Sequence, residues 1–207
     1  MTTADEIVYV IDDDPSVRDA LSDVLDAFGY AHFCFASASE YLEAERKDVA
    51  SCIVLDVRLP DINGLDLQDI LVEEMSPPIV FMSGFPDTPS TVRAMKKGAT
   101  EFLTKPIDAD ALLVAVREAL AKDRELRLRR AEISKIEERF KSLTPREREV
   151  FGLVVGGMLN KQSAHVLGIT EATLQVHRGQ VMRKMKAQSF AELVRMSSNL
   201  NVRAHKS

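Results

Sequence analysis

Four carboxylates, a hydroxyl and an amine stand at the ends of short apolar runs. Asp12, Asp13 and Asp14 follow Ile7-Val8-Tyr9-Val10-Ile11, and Asp56 ends Ser51-Cys52-Ile53-Val54-Leu55. Ser83 ends Ile79-Val80-Phe81-Met82, and Lys105 follows Glu101-Phe102-Leu103-Thr104. Crowded carboxylates repel unless one is protonated or a hard cation bridges them, and a donor set made of oxygens alone suits Mg²⁺. A metal held by Asp12, Asp13 and Asp56 can neutralise a phosphoryl group and orient it for in-line attack by a carboxylate, giving an acyl phosphate. Asp56 stands alone at its run's end and is best placed as the nucleophile. Lys105 can pair with the phosphoryl oxygens as a mobile point charge, and the Ser83 hydroxyl can hydrogen-bond one of them. Each residue also has a plainer use. Asp14, with Pro15 next, caps a helix; Asp56 or Ser83 can serve a turn; Lys105 can pair with any surface acid.

The chemistry therefore depends on elements that bring these ends to one edge. The run carrying Asp56 is strand-length and continuously apolar, as expected in a parallel sheet covered on both faces, and it is broken by Pro60 and the Asn63-Gly64 turn pair. Apolar positions Val17, Leu21, Val24, Leu25 and Phe28 predict a helix from Pro15 that Gly29 ends, with a second strand over 30–35. Ser37-Ala38-Ser39-Glu40 is a capping box for a helix to about residue 46. Further helices begin at Asn63-Gly64, at Thr88-Pro89 and after Asp108, the first reaching the Ser76-Pro77-Pro78 break. Five strands alternating with five helices argue for a doubly wound, flavodoxin-like α/β domain with right-handed crossovers. Ligands of such sheets bind beyond the carboxyl ends of the strands.

Charge divides the 207 residues in two. Residues 1–120 hold 9 Lys and Arg against 23 Asp and Glu, a net of −14, whereas residues 121–207 hold 18 against 9, a net of +9. The acidic part suits a cation site and repels nucleic acid; the basic part has the footprint of phosphate-backbone binding. No run approaches the apolar length of a membrane span, and Asp5 and Glu6 precede the first apolar stretch, so a cytoplasmic protein without membrane association is expected. Cys34 and Cys52 lie in strand-like runs that flank the first strand rather than each other, which disfavours a disulfide and suggests two buried thiols.

From Ala121 to Lys141 the chain is rich in Lys, Arg and Glu and free of Gly and Pro. Leu112, Ala119, Leu126, Ile133 and Phe140 recur every seven residues with Ile136 between, so a continuous helix from Asp108 to Lys141 could carry an intermittent coiled-coil seam, weakened by Lys122 and Arg129. A solitary charged linker helix is the alternative. Thr144-Pro145-Arg146-Glu147 then opens a helix as a capping box, Gly156-Gly157 closes it, and Asn160 caps a short helix through Leu167. Gly168-Ile169 makes a turn, Thr170 caps a longer basic helix to about Lys186, and Ser189 caps a last one. Short helix, Gly-containing turn and longer basic helix form the helix-turn-helix pattern. His177 has no partner at metal-ligand spacing in His32, His165 or His205, so a contact or packing role is expected.

Asp12-Asp13, Asp56, Ser83, Phe102 and Lys105-Pro106, in this order, resemble the receiver domain of two-component response regulators over residues 5–120. The resemblance implies that Asp56 is the phospho-acceptor, that Asp12, Asp13, Asp56 and the backbone carbonyl of Arg58 hold Mg²⁺, that Ser83 and Phe102 are switch residues, and that the Lys105-Pro106 bond is cis. Residues 142–200 resemble the four-helix LuxR-type DNA-binding domain through Leu143-Thr144-Pro145-Arg146-Glu147, Asn160-Lys161-Gln162-Ser163-Ala164 and Val176-His177-Arg178 with Val181-Met182-Arg183-Lys184-Met185. Residues 171–184 then form the recognition helix, with Lys161, Thr173, Gln175, Arg178, Arg183 and Lys184 as DNA contacts. Gln175 departs from the lysine usual in that family, and Gly179 costs about 1 kcal/mol of helix propensity. Together the halves resemble FixJ-type regulators: a receiver at 1–120, a helical linker at 121–141 and an all-α DNA-binding domain at 142–207. The partners so implied are a histidine kinase, promoter DNA, RNA polymerase and a second copy of the chain on phosphorylation, joined through the fourth helix, fifth strand and fifth helix. A DNA-binding regulator indifferent to phosphorylation and a Mg²⁺-dependent phosphatase are the alternatives, the latter lacking any insertion for a substrate cap; the protein is otherwise expected not to be an enzyme. Phe85, two residues past Ser83, either shields an acyl phosphate from water or packs against the helix from Thr88.

Overall fold

Alternate residues of the central strands enter two different cores, which is why these strands read as unbroken apolar runs. In the computed structural model, which describes residues 6–73 and 76–200 with Val72 and Glu73 by backbone alone, β1 (Glu6–Ile11), β2 (Ala31–Phe35), β3 (Ala50–Asp56), β4 (Ile79–Ser83) and β5 (Glu101–Thr104) form a parallel sheet in the order β2-β1-β3-β4-β5. Ile7, Tyr9 and Ile11 of β1, Ile53 and Leu55 of β3 and Phe81 of β4 pack on one face with Tyr41, Leu67, Leu71 and Ala94. Val8, Val10, Cys52, Val54, Val80 and Met82 pack on the other with Leu21, Leu25, Leu112 and Val116. The helices are α1 (Pro15–Ala27), α2 (Ala38–Glu43), α3 (Gly64–Glu73), α4 (Thr88–Lys96) and α5 (Ala109–Lys141). The doubly wound expectation is met. The expected ends at 1–5 and 201–207, with Asp5 and His205, lie outside the described residues.

Two expectations in the first unit are corrected. The second helix stops at Glu43 rather than near 46 because Ala44 turns extended. Cys52 is buried, but Cys34 is exposed, since β2 is an edge strand; both thiols are free. The seven-residue repeat along α5 is taken up by two separate cores: Leu112 and Ala119 are buried against the sheet, while Ile136 and Phe140 pack in a second cluster. Leu126 and Ile133 are half-buried.

The chain divides into two compact units between Arg127 and Leu128. The first keeps hold of α5 beyond residue 120. Buried Asp123 accepts a hydrogen bond from the Ser51 N–H at 3.0 Å, Lys122 donates to the Gly98 carbonyl at 2.9 Å, and Arg124 and Arg127 pair with Glu6 and Asp48. A buried backbone N–H needs such an acceptor. The sequence showed no sign of it, because Asp123 sits among charged residues that all look solvated.

In the second unit α6 (Pro145–Val155), α7 (Asn160–Leu167), α8 (Glu171–Met185) and α9 (Phe190–Asn199) surround Val150, Phe151, Leu174, Val181, Met185 and Leu193. Phe140 meets Phe151 edge-on with centroids 5.1 Å apart. Thr144 and Glu147 form the expected capping box, and Thr170 and Ser189 cap α8 and α9. Gly168 ends α7 with φ 63°, a conformation that favours glycine. Asn160 is not a cap: Leu159 holds the cap position, and Asn160, the first helical residue, accepts from the Arg178 guanidinium at 2.7 Å.

Candidate functional site: a carboxylate cluster and a helix-turn-helix face

β1 and β3 are neighbours in register, Ile11 beside Leu55, so the residues just past each strand emerge together. One carboxylate oxygen from each of Asp12, Asp13 and Asp56 falls within 4.8 Å of the others; Asp12 and Asp56 are buried and Asp13 is exposed. Arg18, on the first turn of α1, donates to the backbone carbonyls of Asp12 at 2.7 Å and Asp13 at 3.0 Å and fixes their loop. Nothing in the spacing from Asp12 to Arg18 announced that role. Asp14 stays out of the cluster and caps α1, bonding the Ser16 N–H at 2.8 Å.

Lys105 reaches the same point from the end of β5. Its ammonium donates to Asp12 Oδ2 at 2.6 Å and to Asp56 Oδ2, while its N–H donates to the Ser83 carbonyl at 2.9 Å. The Lys105-Pro106 bond is cis. Burial pushes the Asp12 carboxyl above the usual carboxylate range, although the bonds from Lys105 and the Asp14 N–H pull the other way. Burial likewise opposes the charge of Lys105, but its bonds to Asp12 and Asp56 outweigh it and hold the ammonium above its ordinary value. The Asp56 Oδ1 accepts from the Arg58 N–H at 2.9 Å, so both oxygens are oriented. Gly64 is required by space: a Cβ there would lie 2.3 Å from the Asp56 carbonyl oxygen.

Ser83 is buried, its hydroxyl accepting from the Phe85 N–H at 3.2 Å. Phe102 is half-buried and stacked on Phe81 with centroids 6.0 Å apart. Phe85 is 77% exposed and does not lie flat against α4; the Arg58 guanidinium sits over its ring, 4.6 Å from the centroid. Three acids offering oxygens only are a donor set that fits a hard divalent cation.

In the second unit Lys161, Thr173, Gln175 and Arg183 are exposed, with Thr173 bonded to the Thr170 hydroxyl at 2.8 Å and Arg183 to Gln180. The other two expected contacts are half-buried and bonded within the unit. Arg178 bonds Asn160 and lies over the Phe190 ring at 5.6 Å, and Lys184 pairs with the buried Glu147 at 2.7 Å. The sequence pattern missed Val176, which is 64% exposed on α8.

A doubly wound sheet with acids and a lysine at its carboxyl edge, followed by a helix-turn-helix unit, defines the class of two-module regulators. The chain belongs to the response regulators that join a receiver domain to a LuxR-family regulatory domain. Residues 8–117 match the response regulator receiver domain, and residues 141–197 match the bacterial regulatory proteins of the luxR family. The chain is 44% identical over 200 residues to nodulation protein W of Bradyrhizobium diazoefficiens, covering 96% of this chain and 88% of that one. It is 39% identical over 198 residues to the transcriptional regulatory protein FixJ of the same species, covering 95% and 96%. Among solved structures, response regulator StyR is similar with a TM-score of 0.78 and 42% identity over 94% of this chain and 99% of that one. The protein is thus a two-component transcriptional regulator with a receiver domain and a DNA-binding domain. Among the described residues, no helix is long and apolar enough to cross a membrane.

Proposed function

We propose that Asp56 accepts a phosphoryl group from a histidine kinase and that the phosphorylated chain dimerises, binds promoter DNA and engages RNA polymerase in the cytoplasm. The observation that carries this reading is the Lys105 ammonium bonded to both Asp12 and Asp56, which places a cation beside the nucleophile's own oxygen. An Asp56 carboxylate oxygen attacks phosphorus, the bond to the donor's nitrogen or oxygen breaks, and the leaving group departs with the electron pair. Lys105 then follows the phosphoryl oxygens, and the Ser83 hydroxyl bonds one of them. Asp12, Asp13, Asp56 and the Arg58 carbonyl would hold Mg²⁺, which supplies charge neutralisation of the phosphoryl group. Residues 1–120 act as receiver, 121–141 as linker and 142–207 as DNA-binding domain, with Ser83 and Phe102 as the switch toward the α4-β5-α5 surface.

Labelling with a small phosphodonor tests the reading. Wild type should take up one phosphoryl group in Mg²⁺ and none after chelation, and Asp56→Asn none at all. Equal labelling of Asp56→Asn would move the acceptor elsewhere, and no labelling of wild type would favour a regulator indifferent to phosphorylation.

A further inference from the structure

α8 buries Leu174, Val181 and Met185 along one side. At 3.6 residues per turn the opposite side carries Ala172, Val176, Gly179 and Arg183, flanked by Gln175, and all five are exposed. Among the described residues, nothing accounts for two features of this face. Val176 is an apolar residue 64% exposed at its middle. Gly179 follows one turn later, and a Cβ there would meet nothing within 4 Å. Glycine in a helix interior costs about 1 kcal/mol relative to alanine, and no contact among the described residues requires it at Gly179. Arg178, the nearest cation in sequence, is half-buried on the side of Leu174 and bonded to Asn160. From Ala172 to Gly179 the outward face thus carries no charge and one amide.

The major groove distinguishes bases by chemistry that this face can match. Arg or Lys pairs with guanine, Gln pairs bidentately with the N6 and N7 of adenine, and apolar groups meet the thymine methyl. We propose that α8 reads adenine and thymine at the centre of each half-site, with Gln175 bonded to an adenine, the Val176 methyls against a thymine methyl, and Gly179 admitting the base edges closer to the helix backbone than any side chain would. This rests on the DNA-binding role given above. It assigns to Gln175, Val176 and Gly179 the specificity of binding, and leaves affinity to the phosphate-contacting cations.

Selection from a random duplex library by the full chain, with acetyl phosphate and Mg²⁺ present, tests it. Wild type should enrich half-sites with adjacent A·T pairs at their centre, and replacing either pair by G·C should weaken binding roughly tenfold. Replacing the central thymine by uracil, which lacks only the methyl, should weaken wild type several-fold and leave Val176→Ala unaffected. Gln175→Lys should move the preference at one position from adenine to guanine. Gly179→Ala should raise the melting temperature and still lower affinity for the selected site, with the salt dependence unchanged. Enrichment of G·C centres by wild type, equal loss on uracil substitution in wild type and Val176→Ala, or undiminished binding by Gly179→Ala would overturn the assignment. No enrichment of any sequence would instead overturn the DNA-binding reading on which it stands.

Discussion

The ammonium of Lys105 donates to Oδ2 of Asp12 at 2.6 Å and, in its other bond, to Oδ2 of Asp56. The cation screens two buried acids that would otherwise repel. Asp12→Ala and Asp13→Ala should each remove a metal ligand and cut labelling at least tenfold while circular dichroism stays native. Lys105→Ala should retain Mg²⁺ binding by calorimetry yet lose the response of DNA binding to phosphodonor. Unchanged labelling in both acid variants would remove them from the site.

Gly64 borders Asp56 by steric necessity, its N–H donating to the Val57 carbonyl at 2.8 Å while its missing Cβ leaves room for the Asp56 carbonyl. Gly64→Ala should destabilise the receiver by about 1–3 kcal/mol, the usual range for overpacking. Because the displaced atom belongs to Asp56, the labelling rate should also fall under conditions where the chain remains folded. A stable variant labelled at the wild-type rate would show that the two backbones part without cost.

The Arg58 guanidinium over the Phe85 ring joins the loops after β3 and β4. Loss of an acyl phosphate requires a water in line with the phosphorus, and neither residue is a general base. Phe85→Ala and Arg58→Ala should each shorten the lifetime of the phosphoryl group, read as loss of label from Asp56 after the donor is removed. If both variants and wild type decay at one rate, the pair does not limit access of water.

Much of this site was legible because charged and hydroxyl residues at strand ends are chemically expensive to place together without a use. Asp12, Asp56, Ser83 and Lys105 therefore stood out, and the parallel order of the strands followed from uninterrupted apolar runs. The sequence did not reveal contacts made between backbone and distant side chain. Arg18 on the Asp12 and Asp13 carbonyls and Asp123 on the Ser51 N–H belong to that kind. Nor did it reveal that Arg178 and Lys184, expected as DNA contacts, also have partners within the second unit, Asn160 and Glu147. The heptad along α5 did not say which surface each residue covers: Leu112 and Ala119 join the sheet's core, Ile136 and Phe140 that of the second unit.

Glu147 offers a pH test of the second unit. The Lys184 ammonium, with the Thr144 N–H, holds its carboxyl below the usual carboxylate range. A carboxyl depressed on folding adds stability that is fully present above its unfolded value and is lost as pH falls through the folded value. Denaturant midpoints of the wild-type second unit, followed within the full chain, should therefore fall on acidification below about pH 4.3, the ordinary glutamate value. Glu147→Gln should flatten that part of the curve; an identical slope in the variant would assign the effect to other acids.

The most direct test of the regulatory claim is the affinity of the full chain for its selected DNA site, measured with and without acetyl phosphate in Mg²⁺ for wild type and Asp56→Asn. The expected result is a rise of tenfold or more on phosphorylation of wild type, accompanied by dimer in sedimentation, and no rise in Asp56→Asn. Equal affinity of phosphorylated and unphosphorylated wild type, or an equal rise in Asp56→Asn, would contradict control through Asp56.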